Sequence, residues 1–172
     1  AVVDGGSCDR GIESTIVDLT AEPACILRRG SIGLAELSEW LPVVEARTLS
    51  LPTDSEPTPL TLRAPGMLAR HYAPQTPLLL VDAPQLGGAL ASELSLGRRV
   101  GVLCRHAPDL TCAATKTCAL GDDPKAFAAR LYAALHELDA CYLDLILAER
   151  LPEESGPDPG RWAAIADRLR RA

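Results

Sequence analysis

Leu78–Cys104 reads LLLVDAPQLGGALASELSLGRRVGVLC, and the alternation inside it decides the fold. Leu78–Val81 and Val100–Cys104 are apolar throughout, as strands are when both of their faces are covered. Pro84–Leu96, between them, has helical spacing. Working outward, the same rhythm continues downstream. A short strand is predicted near Thr117–Leu120, and Asp122-Asp123-Pro124 then opens a helix through Phe127, Leu131, Leu135 and Leu138. Acid at the N-cap and proline in the first turn are its start signals. Leu143–Ala148 predicts a last buried strand and Trp162–Arg171 a last helix. Apolar strands alternating with helices predict an α/β class: a small doubly wound domain over residues 77–172.

Upstream, residues 1–44 read as the end of a mixed sheet. Ser14–Leu19 and Ala24–Leu27 are short β-rich runs joined by a turn at Glu22-Pro23. Gly30 closes the second strand. Leu34–Leu41 has helical spacing, with Leu34, Leu37 and Leu41 on one face, and Val43–Leu49 predicts one more strand. Residues 45–76 link the two parts. Within them Leu51–Pro59 (LPTDSEPTP) has linker composition. Arg63–Pro74 (RAPGMLARHYAP) combines a Pro-Gly turn with the triplet Arg70-His71-Tyr72, closed by Pro74. Pro74 biases Ala73 away from helix, so this segment reads as a charged loop, either a hinge or a lid over a site.

The net charge of −6 shows no basic face of the kind that binds nucleic acid tightly. The cluster Arg168, Arg170 and Arg171 is expected to complement a helix dipole and face water. No apolar run approaches the ~20 residues of a membrane span, and no secretory leader is visible. The only methionine is Met67, so the chain is expected to be a piece of a longer one. Six cysteines, at 8, 25, 104, 112, 118 and 141, form no Cys-x-x-Cys pair. No zinc or other metal site is expected from them, and their core-like placing favours a reducing cytoplasm.

The downstream domain lacks both G-x-G-x-x-G and a P-loop lysine. His106 and His136 read as a loop residue and a helix-surface residue. No serine-histidine-acid arrangement suggests itself. Ser14 and Arg28 stand out by placement instead: a hydroxyl and a guanidinium at strand ends of one small sheet. Arginine's fork suits phosphate oxygens. Each also has a plain reading, Ser14 as a turn residue and Arg28 as a solvated cation; Glu13 reads equally as a surface acid or a site acid. His71 and Tyr72 could pack against the first domain or face a ligand.

Gly11–Thr20 (GIESTIVDLT), Ile26–Gly30 (ILRRG), Ala64–Met67 (APGM) and Arg70–Pro74 (RHYAP) resemble, in order, the motifs of the long-form L-threonylcarbamoyl-AMP synthases. Those enzymes have a YrdC-like catalytic domain, a linker and a Rossmann-like C-terminal domain. The chain is similar to their C-terminal portion, with Asp4–Cys8 and the tail Glu137–Leu169 also fitting. The resemblance implies three parts. Residues 1–44 would be the end of the YrdC-like domain, 45–76 a linker carrying an active-site-facing motif, and 77–172 the Rossmann-like domain. The family makes threonylcarbamoyl-adenylate and pyrophosphate from threonine, bicarbonate and ATP, for tRNA threonylcarbamoyladenosine modification in the cytoplasm.

By that resemblance Ser14 falls at a threonine-binding serine, and Arg28, Arg70, His71 and Tyr72 at ATP-binding positions, with no catalytic residue assigned. ATP would be a substrate, with magnesium held mostly by residues outside this chain. Implied partners are the small-molecule substrates and other tRNA-modification proteins, with no direct nucleic-acid contact and no membrane. An oligomer is possible through an orphaned sheet edge. Arg29 stands where the family usually has proline. The chain alone is expected to be inactive. The competing expectation is a non-catalytic Rossmann-like binding or regulatory module.

Overall fold

The computed structural model describes residues 3, 6, 11–45, 73–107, 114–152 and 158–172. By contacts the chain divides into two units: Glu13–Ala73 with Pro152–Ala172, and Ala1–Ile12 with Pro74–Leu151.

The first unit holds strands β1 (Ile16–Asp18) and β2 (Ala24–Arg28), a short helix α1 (Leu34–Ser38) and strand β3 (Val43–Glu45). β1 runs antiparallel to β2, with Ile16 opposite Arg28, and β2 runs parallel to β3. The predicted mixed sheet is therefore present. The predicted helix over Leu34–Leu41 is shorter and buries no residue. Helical-type bonding continues irregularly to Leu41, whose amide donates to the Leu37 carbonyl at 3.2 Å, and Pro42 disfavours helix at Leu41. Trp40 is left 83% exposed.

The second unit contains β4 (Leu78–Val81), a 3-10 turn at Ala83–Gln85, and α2 (Leu86–Ser95). There follow β5 (Val100–Cys104), β6 (Lys116–Ala119), α3 (Pro124–Asp139) and β7 (Leu145–Glu149). Its four strands are all parallel, in the order β4-β7-β5-β6. β5 and β7 are buried along their whole length. The alternation of β5 explains this. Val100, Val102 and Cys104 pack with Leu86 and Leu90 of α2, while Leu138 of α3 lies over Gly101 on the other face. Right-handed crossovers in opposite directions along the sheet put α2 and α3 on opposite faces. This is the doubly wound, Rossmann-like α/β arrangement expected of residues from 77 onward. β4 differs in one respect: it is an edge strand, and Leu79 is half exposed.

Both ends of α3 are fixed by aspartates. Asp123 accepts from the amides of Lys125 (3.1 Å) and Ala126 (3.3 Å), with Pro124 in the first turn. Asp139 accepts from the amides of Gln75 (2.8 Å) and Thr76 (2.9 Å), tying down the entry to β4.

The last helix, α4 (Pro159–Arg171), does not group with the strands that precede it in sequence. Its contacts place it in the first unit, and Trp162, Ile165 and Leu169 are among the residues it buries. The sequence assigned it to 77–172 because helix periodicity reports an apolar face but not which sheet that face covers.

Candidate functional site

The end of β2 and the segment entering β1 meet in a tight knot within the first unit. Arg28 Nε donates to the Ser14 carbonyl at 3.1 Å, and Arg28 Nη2 donates to Ser14 Oγ at 3.3 Å. The two residues singled out by the sequence are therefore in contact. Ser14 is exposed and Arg28 half-buried. Two further contacts hold the knot. Thr15 Oγ1 donates to the Ile32 carbonyl at 2.8 Å and accepts from the Ile32 amide at 3.2 Å. Gly30 lies so close that a Cβ there would sit 2.1 Å from the Thr15 nitrogen and 2.4 Å from the Ser14 carbonyl carbon. The glycine that closes β2 is thus required by space: only a hydrogen fits between the two backbones.

Arg29 pairs with Glu45 of β3, so its charge is neutralised inside the sheet while Arg28 faces Ser14. Arg168 of α4 completes the arrangement. Its Nε donates to Glu13 Oε2 at 2.7 Å and its Nη2 to the Arg29 carbonyl at 2.8 Å. The expectation that Arg168 faces water is incorrect, because Arg168 and Asp167 are both buried. Asp167 accepts from Arg168 at 3.2 Å and from Arg171 at 2.9 Å. Burial would be costly for either sign alone; pairing offsets it, and removing one partner of such a pair costs about 3–5 kcal/mol. Glu13, left open by the sequence, belongs to this pairing. The missed signal was composition: the last turns of α4 set Asp167 beside Arg168, Arg170 and Arg171, the pattern of a paired cluster as well as of a solvated end.

Near the α4 N-terminus, Gly160 and Gly33 approach so closely that a Cβ on Gly33 would lie 2.8 Å from the Gly160 Cα. Between α4 and the sheet lies a void of about 20 Å³, lined by Ile26, Gly30 and Ala163 among others. That is too small for any ligand beyond a single water. A separate open groove of about 620 Å³ runs along β1, walled by Ile16–Thr20 and Leu27. Neither Ser14 nor Arg28 is among its lining residues.

Guanidinium and hydroxyl groups can donate to a carboxylate or phosphate; here the Nε–Nη2 edge of Arg28 is engaged by Ser14. Neither group is a nucleophile with a base at hand; the pair is suited to binding and orientation. Arg70, His71 and Tyr72 lie outside the described residues, as does most of the 45–76 linker. His106 is exposed and pairs with Asp122 at 2.7 Å, and His136 is exposed on the last turn of α3, as read from the sequence. Arg105 pairs with buried Glu149 at 2.7 Å. Burial pushes the Cys104 thiol up to about 11, with Glu149 and Cys118 adding to it. Among the described residues no group of three or more His, Cys, Asp or Glu side chains could hold a metal ion.

The family model for the C-terminal domain of threonylcarbamoyl-AMP synthase matches residues 32–172. Threonylcarbamoyl-AMP synthase of Pyrococcus abyssi is 32% identical over an alignment of 183 positions that covers 99% of this chain and 48% of that protein. The Bacillus subtilis protein of the same name is 34% identical, over 99% of this chain and 48% of its own length. The chain thus spans about half the length of the curated relatives it matches. Among solved structures, P. abyssi Sua5 complexed with L-threonine superposes with a TM-score of 0.76 at 30% identity, over 98% of this chain and 47% of that one. A variant of P. abyssi Sua5 with an adjacent histidine and tyrosine replaced by alanine gives 0.75 at 29% identity, over 98% and 46%.

Proposed function

Because this chain belongs to the family of threonylcarbamoyl-AMP synthase C-terminal domains, we propose that it supplies part of the substrate-binding wall of such a synthase. The reaction would convert threonine, bicarbonate and ATP to threonylcarbamoyl-adenylate, pyrophosphate and water, for tRNA threonylcarbamoyladenosine modification. The threonine amine bonds to the bicarbonate carbon as a C–O bond breaks and water leaves, giving the carbamate. The bond from the α-phosphorus to pyrophosphate breaks as the bond to the threonylcarbamoyl oxygen forms. Ser14 would hold threonine and Arg28 the nucleotide. The observation that carries the reading is the direct contact between Arg28 and Ser14, in a chain that superposes on a threonine-bound relative.

In this reading residues 1–44 belong to the catalytic domain, 45–76 carry the active-site motif, and 77–172 form the Rossmann-like part, with α4 returning to the first part. Arg70, His71 and Tyr72 would close over the nucleotide. The chain contains one His-Tyr pair, His71-Tyr72, and the altered pair in the P. abyssi variant is also an adjacent histidine and tyrosine. Charge neutralisation and orientation would do most of the work. Magnesium would enter with the ATP phosphates, held mostly by residues outside this chain. Partners would be the small substrates and, beyond them, proteins of tRNA modification, in the cytoplasm. No helix among the described residues is long and apolar enough to cross a membrane.

Calorimetric titration of the full-length protein with threonine and with ATP tests the assignment. Ser14→Ala should weaken threonine and Arg28→Ala should weaken ATP, each about tenfold for a lost charge-assisted bond. Unchanged affinities in both variants would overturn it. These 172 residues alone are proposed to be inactive; pyrophosphate release above background on adding the three substrates to them would contradict that.

A further inference from the structure

We infer that Arg168, near the end of the C-terminal helix, is a positioning residue for the Ser14–Arg28 pair. This inference rests on the substrate-binding reading above. Arg168 makes no hydrogen bond or ion pair to either residue. It grips the neighbour of each: Glu13, just before Ser14, through Nε at 2.7 Å, and the carbonyl of Arg29, just after Arg28, through Nη2 at 2.8 Å. One planar guanidinium thus fixes the spacing between the two backbone segments that carry the pair. Asp167, held in turn by Arg171 at 2.9 Å, takes the Nη1 edge at 3.2 Å and sets the plane of the fork.

A purely adhesive role would be met without charge. The helix already has its apolar face, and its N-terminal end seats against Gly33 through Gly160. Buried ion pairs are poor adhesive, since desolvation consumes most of their attraction. What the pair adds is direction, because hydrogen bonds from a rigid fork specify angle and distance where apolar contact does not. The residue lies 155 positions from Glu13, so the site's geometry depends on the last helix of the chain folding back onto the first unit.

The test uses the full-length protein, with steady-state pyrophosphate release measured while threonine and ATP are varied separately. Arg168→Gln should raise both KM values about tenfold or more, with kcat changing less, because a displacement of ~1 Å in a binding site costs up to about a hundredfold. Arg168→Lys keeps the charge but not the fork, so the melting temperature should recover while the KM values stay raised. A merely structural role predicts the opposite pattern: fewer active molecules and parental KM values. Should Arg168→Gln fail to fold, Glu13→Gln loses the charge and keeps an acceptor oxygen, and about a fivefold rise is expected. Folded Arg168 or Glu13 variants with both KM values within about twofold of the parent would overturn the inference. Ser14→Ala and Arg28→Ala separate the two levels. If they raise KM and the Arg168 variants do not, positioning alone falls; if they too leave KM unchanged, the substrate-binding reading falls.

Discussion

Gly30→Ala is the sharpest perturbation the structure offers. The new Cβ would lie 2.1 Å from the Thr15 nitrogen, 2.4 Å from the Ser14 carbonyl carbon and 2.7 Å from the Glu13 carbonyl oxygen. Ordinary Cβ contacts begin at 3.4 Å, so the Thr15 nitrogen has to retreat by about 1.3 Å, the difference between 3.4 and 2.1. All three obstacles are backbone, so no side-chain rotation relieves them. The whole Glu13–Thr15 segment must move, against the Arg28, Ile32 and Arg168 bonds that hold it. Overpacking of this kind costs typically 1–3 kcal/mol, and with no flexible neighbour the expectation is about 3 kcal/mol. For a chain of this size that lowers the melting temperature by roughly 6–12 °C. Ser14 moves with the segment, so threonine affinity should fall by about a hundredfold at most. Thermal unfolding and threonine titration of the same preparation read both effects. Gly88→Ala is the control: a Cβ there meets nothing within 4 Å, and an exposed helical alanine should stabilise by roughly 0.5–1 kcal/mol. A Gly30→Ala protein within about 0.5 kcal/mol of the parent, with parental threonine binding, would refute the reasoning.

Three other expectations concern the second unit. Asp123→Ala removes both acceptors at the start of α3 and should cost about 1 kcal/mol in urea unfolding. Partial burial would push the Asp139 carboxyl up, but the Thr76 and Gln75 amides, with the Thr76 hydroxyl and nearby His136, outweigh it and hold its pKa below the usual range. A depressed pKa gives stability that is full above the unfolded value of about 3.9 and is lost as pH falls through the folded one. Asp139→Asn should therefore be less stable than the parent at pH 7, and urea midpoints should converge below about pH 4. Cys104 behaves with the opposite sign: its thiol is raised from 9.0 to about 11, so its contribution is complete below about pH 9 and disappears toward pH 11. Alkaline unfolding of Cys104→Ala should show a flatter limb over that window.

Much of the second unit was legible because its signals are local. The apolar runs Leu78–Val81 and Val100–Cys104 reappear as β4 and β5, and Asp123-Pro124 caps the helix it was expected to start. Each follows from residues within a few positions of one another, where periodicity and capping act. Less followed for Leu34–Leu41, where the helix is regular for only five residues and the turn before Pro42 is irregular. Arg168 was misread for a related reason: an arginine in a last helical turn looks solvated until its partner is known, and Glu13 is remote in sequence. Ser14 and Arg28 were visible as strand-end residues, but their contact was not.

What the sequence determined by itself is the character of each segment: which runs are strands, where α3 begins, that a hydroxyl and a guanidinium sit at strand ends, and which family the motifs resemble. Tertiary structure alone decided that α4 joins the first unit rather than the sheet before it, that Gly30 is needed for backbone clearance, and that Arg168 links Glu13 to Arg29. Propensity and capping are fixed by near neighbours, whereas the partner of a buried charge or an apolar face is chosen only when distant segments compete for the same space.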